Sequence, residues 1–200
     1  MTISIAGIPH VDRLTLRPWR VEDAREALEV YGGHANVTRR PSQDVDRVHD
    51  LAAMRVLLQR WIAEDALLPA PCGRWAIERT GDHHVIGGAT LLPLPPGDED
   101  LGIGWHLTPE AMADGCADEA MSTLTALAFD HDVDEVFAVV GPEDTHTAAT
   151  VRHHGMHWVG ETTKYFGTEL QVFRLRRADL DRSAPTAQRP PNTLYQSGAL

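Results

Sequence analysis

From Trp105 to Phe129 the chain turns from strand to helix through a glycine, and that turn dictates a layered fold in which the helix packs back on a sheet. Leu101, Ile103, Trp105 and Leu107 alternate with Asp100, Gly102, Gly104 and His106, the period-two pattern of a strand with two distinct faces. Downstream, Ala117, Ala120, Met121, Leu124, Leu127 and Ala128 recur at i, i+3, i+4 and i+7, as one buried face of a helix does. The strand is expected to stop at Pro109, a short loop to follow, and Gly115 to open the helix. A helix entered this way leaves several backbone N–H groups unpaired and aimed at one spot, with the positive end of the helix dipole behind them. Such a terminus suits an anion; the alternative is that Gly115 is a plain turn residue before a core helix. The two glycines on the His106 side of the strand predict a face bare of side chains, with room for a ligand.

The rest of the chain supplies the sheet and its cover. Leu14 to Arg17 alternate as a half-buried strand, which Pro18 closes to ladder donation. Asp23 to Tyr31 reads as a short helix with Ala24, Ala27, Leu28 and Tyr31 on one face, stopped by Gly32-Gly33. His34 to Asp46 reads as a polar loop, and a longer helix is expected from about Val45 to Glu64, with Val48, Leu51, Ala52, Leu58, Trp61 and Ile62 on its apolar face. Trp75 to Glu78 and Val85 to Leu92 form a hairpin around Gly81-Asp82, and Gly87-Gly88 inside its second strand predicts a bulge or a close approach of another backbone. Leu101 to Leu107 completes this meander. Beyond the central helix come a strand from Glu135 to Val140, a helix from Thr145 to His154 with Asp144 as N-cap and Gly155 as its stop, and a last hairpin from Trp158 to Glu161 and Glu169 to Arg176. This order predicts an α+β domain with a mixed sheet over residues 1–182. Residues 1–10 read as a loose arm and residues 183–200, rich in Pro, Ser, Thr, Gln and Asn, as a flexible C-terminal tail.

Composition narrows the function classes. Asp and Glu number 29 against 18 Lys and Arg, so nucleic acid is a poor partner, since its phosphates need basic residues, and a cationic or amine-bearing ligand fits better. Two cysteines, Cys72 and Cys116, supply no disulfide framework and suit a reducing cytoplasm. No apolar run reaches the length needed to span a bilayer, so no membrane is expected as partner. Of eleven histidines, His153 and His157 are four apart, but Gly155 between them should end the helix and no cysteine accompanies them; no metal site is expected. Cys116, at a helix N-terminus, is expected to have a lowered pKa, with no base beside it to make it a nucleophile.

The string from Ile103 to Phe129, with Trp105, Pro109, Gly115, Ala117, Glu119, Ala120 and Ala128-Phe129, resembles the acetyl-coenzyme A signature of GNAT-fold N-acetyltransferases, in the branch named for the ribosomal-protein N-terminal acetyltransferases RimJ and RimL. Leu14 to Trp19 with Asp23-Ala24 resembles that branch's opening strand and helix. Val139 to Asp144 and Gly155-Met156 resemble its second core strand, the next helix and the turn after it. The match spans roughly residues 12–178. It implies a GNAT-like, mostly antiparallel mixed sheet flanked by helices, and transfer of an acetyl group from acetyl-coenzyme A to a primary amine on a protein N-terminus or a small molecule. By analogy it allows a homodimer.

The resemblance also implies roles. Backbone N–H groups of Gly115, Cys116 and Ala117, with Asp118 opening the helix, would cradle the pyrophosphate, and a backbone N–H at about Leu107 would hold the thioester oxygen. The Asn and Ser of the following helix fall at Asp144 and Thr147, the latter placed to hydrogen-bond the thiol. The chain departs from the family at Met112 and Asp114, where Gln or Arg and a basic residue are usual, and Asp118 adds a carboxylate where Thr is usual. Negative charges a few ångströms from a pyrophosphate cost on the order of one to several kcal/mol each; helix dipole chemistry equally explains carboxylates in a first turn. The family's strand carboxylate falls at Gly102 and its tyrosine acid at Val151, so both are missing. His106, on the open face, is the first choice of base, with Glu99 and Asp100 as alternatives. The second function class is a GNAT-fold binding or regulatory module that has lost catalysis.

Overall fold

The structure, a computed structural model, describes residues 13–32, 48–97 and 99–183. The arm at 1–10, the loop at 34–46, the start of the helix expected from Val45 and the tail from 184 lie outside the described residues.

Among the described residues seven strands form one sheet: β1 (Leu14–Pro18), β2 (Gly73–Arg79), β3 (Val85–Pro93), β4 (Leu101–Leu107), β5 (Glu135–Val140), β6 (His157–Thr162) and β7 (Leu170–Arg176). Their order is β1-β2-β3-β4-β5-β7-β6, with β4 and β5 parallel and the other neighbours antiparallel. This is the expected α+β architecture, a mixed and mostly antiparallel sheet flanked by helices. A parallel pair needs a crossover, and here it runs through α3 (Pro109–Ala113) and α4 (Cys116–Asp130).

The two faces of the sheet bury different elements. Ile77, Leu91, Ile103, Trp105, Leu107, Val136, Val140 and Phe173 form a core with Ala120, Met121, Leu124 and Ala128 of α4 and with Ala148 and Val151 of α5 (Thr145–His153). On the other face α1 (Ala24–Tyr31) and α2 (Leu51–Asp65) cover β2 to β4, packing Trp19, Ala27, Val30, Tyr31, Met54, Leu58 and Trp61. Leu94, Phe137, Tyr165, Leu170 and Val172 make a third, smaller cluster. Burying each such side chain stabilises the fold by about 1.5–3 kcal/mol.

Four expectations change. The loop before Gly115 contains the five-residue helix α3, because Thr108 caps it and Pro109 sits in its first turn, so the proline that ends the strand also starts a helix. A last helix, α6 (Arg177–Ser183), follows β7 and runs one residue into the segment read as tail. Helix α2 begins at Leu51, with Asp50 as its cap, and its buried stripe is Met54, Leu57, Leu58 and Trp61. Ile62, one step of about 100° around the helix from Trp61, is therefore 39 % exposed, and Ala52 is exposed as well. Finally, the irregularity in β3 falls at Ile86, since Ile77 pairs with Gly87 and Glu78 with Val85.

The close approach expected at this pair is present twice, to backbone at Gly87, where a Cβ would lie 2.4 Å from the His106 carbonyl oxygen, and to side chains at Gly88. A Cβ there would lie 1.9 Å from Tyr31 Oη and 2.9 Å from the Trp19 ring. Gly88 pairs with Ala76 on one side and His106 on the other, so all three share the face that α1 covers. Gly88→Ala is expected to lower stability by about 1–3 kcal/mol through overpacking, measured by urea denaturation. Gly81→Ala, where a Cβ meets nothing within 4 Å, should leave it nearly unchanged.

Candidate active site

The sheet opens where β4 and β5 end. The other neighbouring strands pair over five or more residues, whereas β4 and β5 are in register only at Gly102↔Phe137. Toward their C-terminal ends each strand lacks the other as ladder partner. The amide of Thr108 donates to Ile86 of β3 at 2.9 Å. Successive residues of a strand turn their N–H groups to opposite sides, so the Leu107 amide faces away from β3, toward the gap beside β5.

Past the end of β4 and the short α3 the chain enters the first turn of α4, whose Glu119 binds the start of β1. Gly115 holds φ +74°, a left-handed conformation suited to glycine, and the space beside it is open. Asp50, Thr108 and Asp144 cap α2, α3 and α5 through the amides of Ala53, Ala111 and Thr147. Helix α4 alone among these four has no side-chain cap, so its first-turn donors await another acceptor. Cys116 and Ala117 turn their side chains into the core while Asp114 and Asp118 are exposed. Burial pushes the Cys116 thiol up rather than down, with the nearby charges of Arg13 and Glu119 following, so the lowered pKa expected for it is corrected.

His106 lies on the opposite sheet face, as its alternation required, with its ring 5.0 Å from that of Tyr31. Tyr31 in turn packs against Trp19 at 6.2 Å and edge-on to Trp61 at 5.5 Å. Burial raises the Tyr31 pKa, which keeps its hydroxyl protonated. This aromatic wall is invisible in the strand pattern; the only hint of it is the glycine at position 88. The bare strip is narrower than expected, because Leu94 lies over Gly102, where a Cβ would come within 2.6 Å of Leu94 Cδ2.

On α5, the Asp144 carboxylate accepts the Thr147 amide at 2.9 Å, so its observed role is the N-cap. Thr147 is buried at the start of that helix, and Val151, where the family's tyrosine would fall, is fully buried in the core. His154, just past α5, donates Nε2–H to the carbonyl of Asp118 at 2.7 Å across to α4. Among the described residues no group of three or more His, Cys, Asp or Glu could hold a metal ion.

The geometry is therefore a gap between two parallel strands, with Leu107 at the end of β4, Thr147 in the helix that follows β5, an uncapped start to α4, and His106 on the covered face of β4. A family model described as an acetyltransferase (GNAT) domain matches residues 13–157, a span that includes all of these. The chain belongs to the GNAT acetyltransferase family. No protein with a curated function matches it. Its fold is similar to that of a GNAT-family acetyltransferase from Bacillus anthracis, at 17 % identity and TM-score 0.66 over 82 % of this chain and 95 % of that one. It is also similar to Mycobacterium smegmatis RimJ in complex with CoA-disulfide, at 20 % identity and TM-score 0.65 over 84 % and 83 %. A mutant form of the Vibrio cholerae spermidine/spermine N-acetyltransferase SpeG aligns at 15 % identity and TM-score 0.64, over 86 % and 99 %.

Within this GNAT sheet Asp100, the alternative base, is already engaged. Lys164 Nζ and Tyr165 Oη donate to its Oδ2 at 2.6 and 2.7 Å and hold its carboxyl below the usual carboxylate range. These bonds fasten the β6–β7 loop to the start of β4. A carboxylate whose folded-state pKa is depressed stabilises the protein above its unfolded pKa and loses that contribution as pH falls through the folded value. Asp100→Asn should thus lower the melting temperature near neutral pH, and its difference from the wild type should shrink steadily below about pH 4, as scanning calorimetry at several pH values would show.

Proposed function

We propose that this GNAT domain transfers an acetyl group from acetyl-coenzyme A to a primary amine, on a protein N-terminus or a small molecule, by direct attack. The observation that carries this reading is the parting of β4 from β5 beyond Gly102↔Phe137 together with the uncapped start of the helix α4 that links the two strands. The amides of Gly115, Cys116 and Ala117, with Asp118, would receive the pyrophosphate, and Leu107 N–H would donate to the thioester oxygen as charge develops on it. The amine lone pair attacks the carbonyl carbon, the C–S bond breaks and its electron pair leaves on sulfur. His106 takes the proton that the amine loses, and the Thr147 hydroxyl steadies the thiolate until it is protonated. Asp144 contributes by fixing the turn that carries Thr147.

Two solved relatives support the donor and acceptor classes: one carries CoA-disulfide and the other is a spermidine/spermine N-acetyltransferase. The free thiols of Cys72 and Cys116 fit a cytoplasmic setting. No described helix is long and apolar enough to cross a membrane. A second reading, a GNAT-fold binding or regulatory module without turnover, is favoured by the exposed carboxylates of Asp114 and Asp118 at the cradle and by Leu94 over Gly102.

Calorimetric titration with acetyl-coenzyme A separates the two. Saturable micromolar binding is expected, and Asp114→Arg should tighten it. In an acetylation assay over a panel of peptides and small amines, His106→Ala should lower kcat by roughly 10²- to 10⁴-fold while leaving coenzyme A affinity within about twofold. A folded protein that binds nothing up to millimolar ligand would overturn the acetyltransferase reading.

A further inference from the structure

The seam between β4 and β5 has a second opening, at the end where both strands begin. A cavity of about 770 Å³ lies there, within the size range of small-molecule sites. Leu101 of β4, Val133 before β5 and Leu68 after α2 give it half-buried apolar walls. Glu99 and Asp134, both exposed, stand at its rim, each three residues before its own strand's member of the Gly102↔Phe137 pair. Neighbouring strands run about 5 Å apart, so the two acidic residues flank the place where the two strands enter the sheet. No lysine, arginine or histidine is among the residues that line the cavity. The cations around it are held elsewhere. Lys164, within electrostatic reach of Glu99, is bonded to Asp100 at 2.6 Å. Arg177 donates its amide to the Asp134 carbonyl but turns its guanidinium toward Asp132, at 3.7 Å, and over the Phe129 ring, at 5.9 Å. Glu135, the third carboxylate of the lining, is answered by Arg176 at 3.0 Å and Arg174 at 3.8 Å. Glu99 and Asp134 make no ion pair among the described residues, so apolar walls meet negative charge that the fold does not use.

We infer that this cavity is a binding site for an alkylammonium ion, a small amine with an apolar body, separate from the gap at the C-terminal ends of the same two strands. The ammonium group is received between Glu99 and Asp134, and the hydrocarbon lies against Leu68, Leu101 and Val133. Surface charge alone would gather any cation; the apolar walls are what select one that carries a hydrocarbon. With no metal-holding group among the described residues, the unused charge calls for an organic cation. Leu101 and Leu107 stand at opposite ends of β4, about 20 Å apart at the rise of an extended strand, so this site and the proposed thioester donor do not share a ligand. None of its residues has a part in acetyl transfer, and the inference stands whether or not the protein binds acetyl-coenzyme A.

Cys72 also lines the cavity, half-buried, and reports on its occupancy, while Cys116 is 5 % exposed. The test is the rate at which iodoacetamide alkylates Cys72 in the full chain near neutral pH, read by peptide mass spectrometry, with hexylamine present and no coenzyme A. Hexylamine should slow alkylation saturably, in the millimolar range that suits so small a ligand. Hexanol, as apolar but uncharged, should need concentrations at least about fivefold higher. Glu99→Gln combined with Asp134→Asn should weaken protection by hexylamine about fivefold to tenfold and leave protection by hexanol unchanged. Glu143→Gln combined with Glu161→Gln removes as much charge at the other end of β5 and should change neither. Equal protection by the two ligands, equal loss in the two double variants, or no saturable protection of the wild type would each overturn the inference. Methyl ¹H–¹³C spectra locate the amine: shifts at Leu68, Leu101 and Val133 are expected, and shifts centred on Leu107 and Thr147 instead would place it in the gap and equally overturn the site.

Discussion

The parallel seam between β4 and β5 is the constraint on which the rest of this molecule depends. An antiparallel ladder can be zipped by a short turn, but a parallel pair must be bridged by a crossover that packs on the sheet. Here the crossover is α3 and α4, and the seam it closes is registered at one residue pair, Gly102↔Phe137. Burial elsewhere makes this short register tolerable. On one side β3 pairs with all of β4, and on the other β7 pairs with all of β5, so each half of the sheet is complete without the seam. Met121, Leu124 and Ala128 of α4 then tie the halves together through a common core. The backbone donors left over face a gap, which is where a donor substrate can be held by the main chain.

Polar anchoring at the ends of the elements keeps this gap in place. Glu119, buried in the first turn of α4, accepts the amides of Arg13 and Leu14 at 2.8 and 2.9 Å and so fastens the start of β1 to the helix. Arg17 forks onto Asp23 and reaches Glu78 at 2.5 Å, joining β1 to the start of α1 and to β2. Asp100 does the same for the β6–β7 loop. A buried or half-buried charge that lost its partner would be left desolvated and unpaired, so each of these links is worth more broken than made. They hold the helix termini, where function is concentrated, more tightly than apolar packing alone would.

Charge gives the site its individual character. Met112 and Asp114 stand where the resemblance implies Gln or Arg and a basic residue, Gly102 where it implies a carboxylate, and the chain carries a formal net charge of −11. The main chain persists as a donor through such changes because Gly115 still sets the turn and α4 still points its amides outward. A net negative charge attracts amines and repels competing polyanions.

Residue pattern alone determined the strands, the α4 stripe, the Asp144 cap and the two faces of β4, because period two and period 3.6 are local properties of a chain with one buried side. The glycine turn at Gly115 and the end of β4 at Leu107 were likewise legible, since they mark where an element starts or stops. Local pattern did not determine how helices rotate or what meets across elements. Ile62 lies outside because Met54, Leu57, Leu58 and Trp61 won the packing of α2, and the Cys116 thiol is pushed up rather than down because its side chain is buried in the core. Pro109 carried two meanings, and the strand-ending one hid α3. His106 against Tyr31, Leu94 over Gly102 and His154 against Asp118 span from 8 to 75 residues of sequence. Such contacts are decided by tertiary structure, since only the assembled sheet sets the distances at which charges and rings act.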